Sequence, residues 1–314
     1  MKNNKNKKEN NKEESAAEKA ETVKVLGDLS EETEKTEVKQ IASVKSILIT
    51  VGVSVLACIV AVFAILFFCG YRYANYVLDS GENVQFLGRV NTDGTPISGR
   101  IIYSDGLTAY VNQETGDIEY ANGSVYTGDL VKLLRHGYGT LTYSSGDVYE
   151  GEFQNDKISG KGKYTYANGD VFEGEFKDGK KEGTGKYTWT SGAYYEGEYA
   201  NDVKEGEGVF HYADGSVYEG TFKDNLKDGT GKYTWANGDY YVGDYVSDNR
   251  SGNGTMCWAD GSSYTGEFKD NQLWGKGVYT DSKGRTYEGT FEDGIIKRST
   301  ETSDKEETES GDNN

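Results

Sequence analysis

The sequence predicts an all-β repeat array, an elongated antiparallel sheet of β-hairpins, preceded by one transmembrane α-helix and a disordered N-terminal tail. Three observations lead to this fold class. A unit of 23 residues recurs through the C-terminal part of the chain. Within each unit, aromatic and polar residues alternate as in β-strands. An uncharged run of 26 residues stands ahead of the repeats.

The order of these features divides the chain into five segments. We predict a charged, disordered cytoplasmic tail over residues 1–45 and a transmembrane helix over 46–71. A linker with a degenerate repeat that caps the array follows at 72–123. The repeat array itself spans 124–298, and an acidic disordered tail spans 299–314.

The N-terminal tail is rich in Lys, Glu and Asn, which is typical of a solvated, disordered segment. For residues 16–45, the alternative prediction is a helix that continues into the apolar stretch.

The apolar stretch SILITVGVSVLACIVAVFAILFFCGY, residues 46–71, is longer than the roughly 20 residues needed to cross a bilayer. A secretory signal peptide fits poorly because the leader and the apolar run are both too long and no small-residue cleavage motif follows. Aromatic residues cluster at its far end, as at a membrane–water interface: Phe67, Phe68, Tyr71, Tyr73 and Tyr76.

Basic residues near the apolar stretch predict its orientation. Lys35, Lys39 and Lys45 precede it and Arg72 and Arg89 follow it, and four more lysines lie within the first eight residues. The excess of positive charge favours a cytoplasmic N-terminus and a repeat array outside, with the opposite orientation left open.

The formal net charge of −18 also limits the partners. Residues 1–45 hold equal numbers of basic and acidic residues and the apolar stretch holds none, so the whole excess lies in residues 72–314. An acidic body of this kind argues against nucleic acid and against tight docking on anionic lipid.

Seven full units begin at Ser124 and at every twenty-third residue after it, and a partial eighth begins at Arg285. We number the positions of each unit from 1. Positions 3 and 7 are aromatic almost throughout, and positions 14 and 16 are Gly in all seven full units. Position 5 is always Gly: Gly128, Gly151, Gly174, Gly197, Gly220, Gly243, Gly266 and Gly289.

Each unit is predicted to form one hairpin. Positions 2–7 and 15–20 are the strands, a polar loop of six or seven residues joins them, and a tight turn such as Ala167-Asn-Gly-Asp170 leads to the next unit. A degenerate unit at 84–106 and a plain hairpin at 107–123 precede the array, and the stretch from Ile295 to Lys297 is predicted to close its far edge.

The recurring glycines have a structural explanation. Side chains alternate along a strand, so positions 3, 5 and 7 share one face in the order ring, Gly, ring. Because glycine has no side chain, it leaves open space on the sheet surface, where a ring from a neighbouring strand can lie across the backbone. The opposite face carries Glu at positions 4 and 6, expected to lie near Lys and Thr at positions 17 and 19, and it is interpreted as a solvated face rather than a catalytic carboxylate pair.

The units resemble MORN (membrane occupation and recognition nexus) repeats. The stretch FEGEFKDGKKEGTGKYTW at 172–189 matches the family's core almost throughout, and Arg135-His136-Gly137-Tyr138-Gly139 matches its loop end. The resemblance implies an extended antiparallel β-sheet. It implies little chemistry, because such arrays occur in scaffolds, in membrane-associated organisers and as accessory domains of enzymes.

The sequence offers no motif for catalysis, a cofactor or a metal. Two histidines lie in different units, three cysteines lack zinc spacing, and Gly185-Lys186 and Gly231-Lys232 fail as phosphate-binding loops because each is followed by Tyr. We therefore expect no enzyme activity, no cofactor and no metal.

Two functions remain. The first is a membrane-anchored scaffold that binds protein partners, or a second copy of the chain, through the aromatic face. The alternative is binding of cell-surface glycans or cell wall by stacking of sugars on exposed rings. The candidate contacts in both cases are the rings at position 20, although core packing would explain them equally: Tyr143, Tyr166, Trp189, Tyr212, Trp235 and Trp258.

Overall fold

The computed structural model describes residues 6–78 and 81–301 of the chain. The chain divides at Tyr71 into two compact units, an N-terminal helical unit and a C-terminal β-sheet unit. The unit boundary coincides with the change from apolar helix to alternating strands that the sequence shows.

The helical unit consists of α1 (Asn6–Phe68). The prediction of disorder over residues 1–45 is therefore wrong from Asn6 onward, and the helical alternative for 16–45 is the structure that forms. This segment holds many Ala, Glu and Lys residues and no Pro, all of which suit a helix. Because the apolar stretch already supplies a long helix, extending it avoids the cost of nucleation. Glu31 and Lys35 add an ion pair one turn apart, at 3.3 Å.

The C-terminal part of α1 is long and apolar enough to cross a membrane by length and composition, and its apolar side chains are exposed. The helix ends at Phe68, short of the predicted boundary at 71. Gly70 adopts a left-handed conformation (φ 85°), and the amides of Cys69 and Gly70 close the last turn on the carbonyls of Ile65 and Phe67.

Within the described residues, the second unit is one antiparallel sheet of 21 strands, in which every strand pairs with its neighbours in sequence. This agrees with the predicted fold class. The first five strands precede the repeat array: β1 (Tyr71–Val77), β2 (Asn83–Val90), β3 (Pro96–Ile102), β4 (Thr108–Asn112) and β5 (Asp117–Tyr120).

Each repeat then contributes a strand of seven residues and a strand of nine, and the partial eighth contributes the last two. They are β6 (Val125–Val131), β7 (Leu134–Thr142), β8 (Val148–Gln154), β9 (Lys157–Thr165), β10 (Val171–Lys177), β11 (Lys180–Thr188), β12 (Tyr194–Ala200), β13 (Val203–His211), β14 (Val217–Lys223), β15 (Leu226–Thr234), β16 (Tyr240–Val246), β17 (Asn249–Cys257), β18 (Ser263–Lys269), β19 (Gln272–Thr280), β20 (Thr286–Glu292) and β21 (Ile295–Glu301).

The polar loop predicted inside each unit is largely strand. In the second unit only Asn155 and Asp156 form the turn, with φ of 49° and 72°, as in a two-residue turn of type I′. The second strand of the unit therefore starts at position 11, four residues earlier than predicted. The same pair of positions has positive φ in every unit, and Asn, Asp and Gly supply most of them because these residues tolerate that conformation.

The turn between units differs from the predicted Asn-Gly geometry. At 167–169 only Gly169 has positive φ (90°), and the amide of Gly169 bonds to the carbonyl of Tyr166. This is the three-residue hairpin in which a glycine follows a type I turn.

The ends of the sheet repeat the same construction. In the degenerate unit, Gly88 opposes Gly99 and Phe86 is fully buried beside them. At the far end, β21 pairs with β20 and extends through Glu301, three residues into the predicted disordered tail. The rest of that tail, 302–314, lies outside the described residues.

Candidate functional site: the aromatic face of the sheet

The glycines at positions 5 and 16 form one row across the strands of the array. Gly151 opposes Gly162 within its unit, and Gly162 opposes Gly174 of the next unit. A methyl group built on Gly174 would lie 2.6 Å from the Cα of Gly185 and 2.7 Å from the ring of Phe172. No side chain fits there, because two backbones and a ring already occupy the space.

The ring over each glycine pair comes from position 3. Tyr149 lies on the same strand as Gly151 and on the strand next to Gly162. The prediction that a ring from a neighbouring strand covers each glycine is therefore correct for position 16. It is wrong for position 5, where the ring comes from the same strand. The position-3 rings of the seven full units are 0% exposed: Tyr126, Tyr149, Phe172, Tyr195, Tyr218, Tyr241 and Tyr264.

The position-7 rings enclose the position-3 rings from both sides. Tyr149 meets Phe153 of its own strand at 5.1 Å and Phe176 of the next unit at 5.2 Å, both edge to face. Such pairs are worth about 0.5–1.5 kcal/mol beyond the area they bury. The core of the array is thus a double row of rings on one face of the sheet.

In the full units, the hydroxyl of each position-3 tyrosine is satisfied locally. A bulge between positions 5 and 7 turns the carbonyl of position 6 toward the ring, and the hydroxyl of Tyr241 donates to the carbonyl of Asp244 at 3.0 Å. Burial raises the pKa of the Tyr241 hydroxyl to about 12. These hydroxyls are therefore structural donors and stay protonated at neutral pH.

The third glycine, at position 14, has a separate cause. Gly160 adopts a φ of 69°, and a methyl group on it would lie 2.7 Å from Cδ of Glu152 at position 6. The Glu152 carboxylate accepts a hydrogen bond from the amide of Lys161 at 3.2 Å. The expectation that position 6 lies near positions 17 and 19 is thus wrong, because the register that pairs the glycines at positions 5 and 16 of adjacent units places position 6 opposite position 15.

The carboxylates at position 4 do lie near position 17. Lys163 opposes Glu150 within its unit, and its ammonium lies 3.6 Å from Glu173 of the next unit. Both members of this pair are exposed, so the pair contributes little to stability. The polar face is a solvated face, as the sequence indicates.

The rings at positions 18 and 20 form a second, shallower row, which we call the ring ladder. Consecutive centroids lie between 4.3 and 6.0 Å apart, and all of these rings are half-buried. The ladder runs through Tyr143, Tyr164, Tyr166, Tyr187, Trp189, Phe210, Tyr212, Tyr233 and Trp235.

All six predicted contact residues lie on this face, and five of them are consecutive members of the ladder at position 20. The ladder is interrupted at position 18 of the sixth unit, where the buried Met256 stands in place of a ring. Beyond it, Trp258 meets Tyr279 at 6.1 Å. The ladder packs against the core on its inner side and is open to solvent on its outer side.

A row of residues at position 12 borders the ladder, and the sequence analysis missed it. The predicted loop hid it, because position 12 opposes position 7 only once the turn has two residues, as Tyr199 opposes Lys204. The residue pairs at positions 9 and 10, such as Asn201-Asp202, favour a two-residue turn, and recognising that turn would have placed position 12 in the strand. The row reads Arg135, Ile158, Lys181, Lys204, Lys227, Arg250 and Leu273.

The basic members of this row lie against aromatic rings. The Lys204 ammonium is 4.9 Å from the ring centre of Phe210 and 5.4 Å from those of Tyr195 and Phe222. Burial lowers the pKa of the Lys204 ammonium. Cation–ring attraction offsets part of the cost of removing these charges from water.

The backbone at position 12 is held by the next unit's turn. The amide of Lys181 donates to the Asp202 carboxylate at 2.9 Å, and the amide of Asp202 donates to the carbonyl of Lys181 at 3.0 Å. Asn225 holds Lys204 in the same way, at 2.9 and 3.0 Å. This reciprocal pair fixes the edge of the aromatic face from unit to unit.

The described side chains contain no group of three or more His, Cys, Asp or Glu residues that could hold a metal ion. What the site offers chemically is a stacking surface with a few positive charges along one border.

The fold and the repeat define a class of protein in which a sheet of β-hairpins presents an aromatic face. The chain belongs to the MORN repeat family, whose profile matches half of the sequence in seven consecutive repeats, at residues 126–148, 149–171, 172–194, 195–217, 218–240, 241–263 and 264–284. Among curated proteins, none matches this sequence significantly.

Solved structures that match this chain include two of Drosophila melanogaster. The SAS-4 (dCPAP) TCP domain in complex with a proline-rich motif of Ana2 (dSTIL) is 17% identical, with a TM-score of 0.32, over 55% of this chain and 90% of that one. The TCP10c domain of Sas-4 is 14% identical, with a TM-score of 0.28, over 62% of this chain and 100% of that one. Likeness at this level supports no inference about function.

Proposed function

We propose that this chain is a non-enzymatic scaffold, anchored in a membrane by α1, which binds a protein partner or a second copy of itself through the ring ladder. One observation carries the proposal: the ladder is a continuous aromatic surface whose outer side has no partner among the described residues. Aromatic rings that are half-buried and rigidly held are the residues that dominate protein interfaces.

The two rows of rings differ in the role they can take. The position-3 rings are fully enclosed and serve the fold. The ladder rings keep an exposed side, so a partner can cover them without rearranging the sheet. The six residues at position 20 are therefore the proposed contacts.

The membrane anchor rests on the apolar part of α1, and the orientation rests on the lysines that precede it. We expect the N-terminus in the cytoplasm and the array outside. Protease added to intact cells should then remove the array. An array that stays protected until the membrane is broken would reverse the orientation.

The contact surface is tested with a photo-crosslinking amino acid placed at single positions of the full chain in cells. Trp189 represents the ladder. The matched control is Tyr138, which is 62% exposed and lies at position 15, opposite Glu152 and away from the ring row.

Crosslinked protein adducts are expected from position 189 and not from position 138. An adduct of twice the chain mass would identify a second copy as the partner. Equal crosslinking at both positions, or none at 189, would contradict the proposal.

A further inference from the structure

Two cations that border the middle of the ring ladder form no salt bridge with a described residue, although the carboxylates of Asp202 and Asp248 attract Lys181 and Lys204 at longer range. Among the described residues, no carboxylate lies within 4.0 Å of the ammonium group of Lys181 or Lys204, and neither ammonium donates a side-chain hydrogen bond. The neighbouring members of the row differ. Arg135 pairs with Asp156 at 2.8 Å, and Lys227 approaches Asp248 at 3.8 Å.

The fold does not require a cation at this position. Ile158 and Leu273 occupy position 12 in the second and seventh units, and they oppose the same position-7 ring, Phe153 and Phe268. A half-buried charge costs free energy that an apolar side chain at the same place avoids. The sheet packs without a cation at position 12, which leaves the ammonium groups of these two lysines available to a partner.

The spacing of the two ammonium groups limits what can pair with both. Lys181 and Lys204 stand at the same position of adjacent units, two strands apart, which is about 9.6 Å. A segment in the polyproline II conformation has three residues per turn and advances about 3.1 Å per residue, so residues i and i+3 lie on the same side about 9.3 Å apart. Side chains three residues apart on such a segment can reach both charges.

We propose that the ladder section bordered by Lys181 and Lys204 binds a segment of a partner protein in the polyproline II conformation that carries acidic side chains three residues apart. One carboxylate pairs with each ammonium, and the residues between them pack on the rings of Tyr187, Trp189 and Phe210. The inference rests on the proposed scaffold function and specifies the chemistry of the partner.

The charge of the chain favours a short acidic segment over a polyanion. Residues 72–314 carry the whole net charge of −18, so a glycan or nucleic acid with dense negative charge is repelled at long range. Two carboxylates in an otherwise apolar segment meet little of this repulsion and gain the local attraction of two partly desolvated cations.

The test selects binders from a display library of random 12-residue peptides on the full chain held in detergent micelles. Selected peptides are expected to be enriched in Asp or Glu at positions i and i+3. The affinity of the best peptide is expected to fall at least tenfold when both acids become Gln, and at least tenfold when the chain carries Lys181→Leu and Lys204→Leu.

Leu is chosen because Leu273 already fills position 12 in the seventh unit. The thermal midpoint of the double variant is expected to be equal to or above that of the unaltered chain, so that lost binding cannot be assigned to unfolding. If the thermal midpoint is lower, the conclusion rests on the peptides in which both acids are replaced by Gln, because these peptides are tested on the unaltered chain.

The outcomes separate this inference from the proposed function. If binding is lost with Trp189→Ala but is unaffected by the lysine changes and by Gln peptides, the acidic partner is excluded and the ladder remains the contact surface. If no peptide is selected, or if a sulfated polysaccharide binds while acidic peptides do not, the inference is overturned. If the selected peptides bind equally to the Trp189→Ala chain, the contact role of the ladder fails as well.

Discussion

The hydroxyl of Tyr195 donates a hydrogen bond to the backbone carbonyl of Glu198, 3.1 Å away, three residues along the same strand. The ring between them covers Gly197 and the facing Gly208. One side chain thus holds the bulge open and fills the space over the glycine row. The variants Gly197→Ala and Tyr195→Phe separate these two roles.

Replacing Gly197 with Ala is expected to destabilise the array by about 1–3 kcal/mol. The new methyl group would lie 2.6 Å from the Cα of Gly208 and 2.7 Å from the carbonyl oxygen of Glu207, and backbone cannot move aside as a side chain can. Thermal unfolding followed by near-ultraviolet circular dichroism measures the change. Lys223→Ala, at an exposed position in the array, is the control and should stay within about 0.5 kcal/mol. Equal stability of the two variants would show that the row does not need glycine.

Replacing Tyr195 with Phe removes only the hydroxyl. The carbonyl of Glu198 loses its donor while the ring remains, so we expect a loss of about 0.5–1.5 kcal/mol. Phe172, fully buried at the same position of the third unit, indicates that the ring alone is compatible with the fold. Tyr138→Phe, on an exposed ring, is the matched control. An equal loss of stability in both variants would show that the hydrogen bond of the Tyr195 hydroxyl does not stabilise the array.

Replacing Asp202 with Ala is expected to cost about 1–2 kcal/mol, because the amide of Lys181 loses its acceptor and position 10 has a φ of 74°. Asp202→Asn should be close to neutral, since Asn225 makes the equivalent bond to Lys204. Chemical denaturation of both variants gives the comparison. An Asn variant as unstable as the Ala variant would mean that charge, rather than turn geometry, decides this position.

The array is expected to unfold in alkali. Burial raises the pKa of Tyr241 and Tyr264 to about 12, from 10.0. Between these values the unfolded chain has released the protons that the folded chain retains, so stability is present in full below pH 10 and falls as pH rises toward 12. Burial lowers the pKa of Lys204, which acts in the opposite sense, but such lysines are fewer than the buried tyrosines.

Tyrosinate absorbance and tryptophan fluorescence, recorded together, measure this transition. Ionisation of the buried tyrosines should coincide with loss of native fluorescence, between about pH 10 and 12. Full ionisation at pH 10 with native fluorescence retained would show that the position-3 rings are accessible in the folded chain.

Several features of the sheet could be predicted from residue patterns. The period of 23 and the alternation within each unit are local properties of the chain, and they placed Tyr149, Gly151 and Phe153 on one face correctly. The helical part was harder, because Lys, Glu and Ala suit both a solvated coil and a helix. The apolar stretch that follows decides between them by continuing the helix back to Asn6.

The border of the aromatic face was not predictable in the same way. Whether Lys204 lies in a loop or on the face depends on a turn of two residues, which shifts the register of the whole second strand. Asn201-Asp202 signals such a turn, but Lys132-Leu133 at the corresponding place does not, although it adopts the same positive φ values.

The sequence by itself determined the repeat, the strands and the shared face of glycines and rings, because each follows from side-chain alternation along one strand. Only the tertiary structure decided which rings are enclosed and which stay open, and that Lys181 and Lys204 lie among rings without a salt bridge to a described residue. Those properties depend on distances between residues on different strands, such as Lys204 and Phe222, and the alternation along one strand does not encode them.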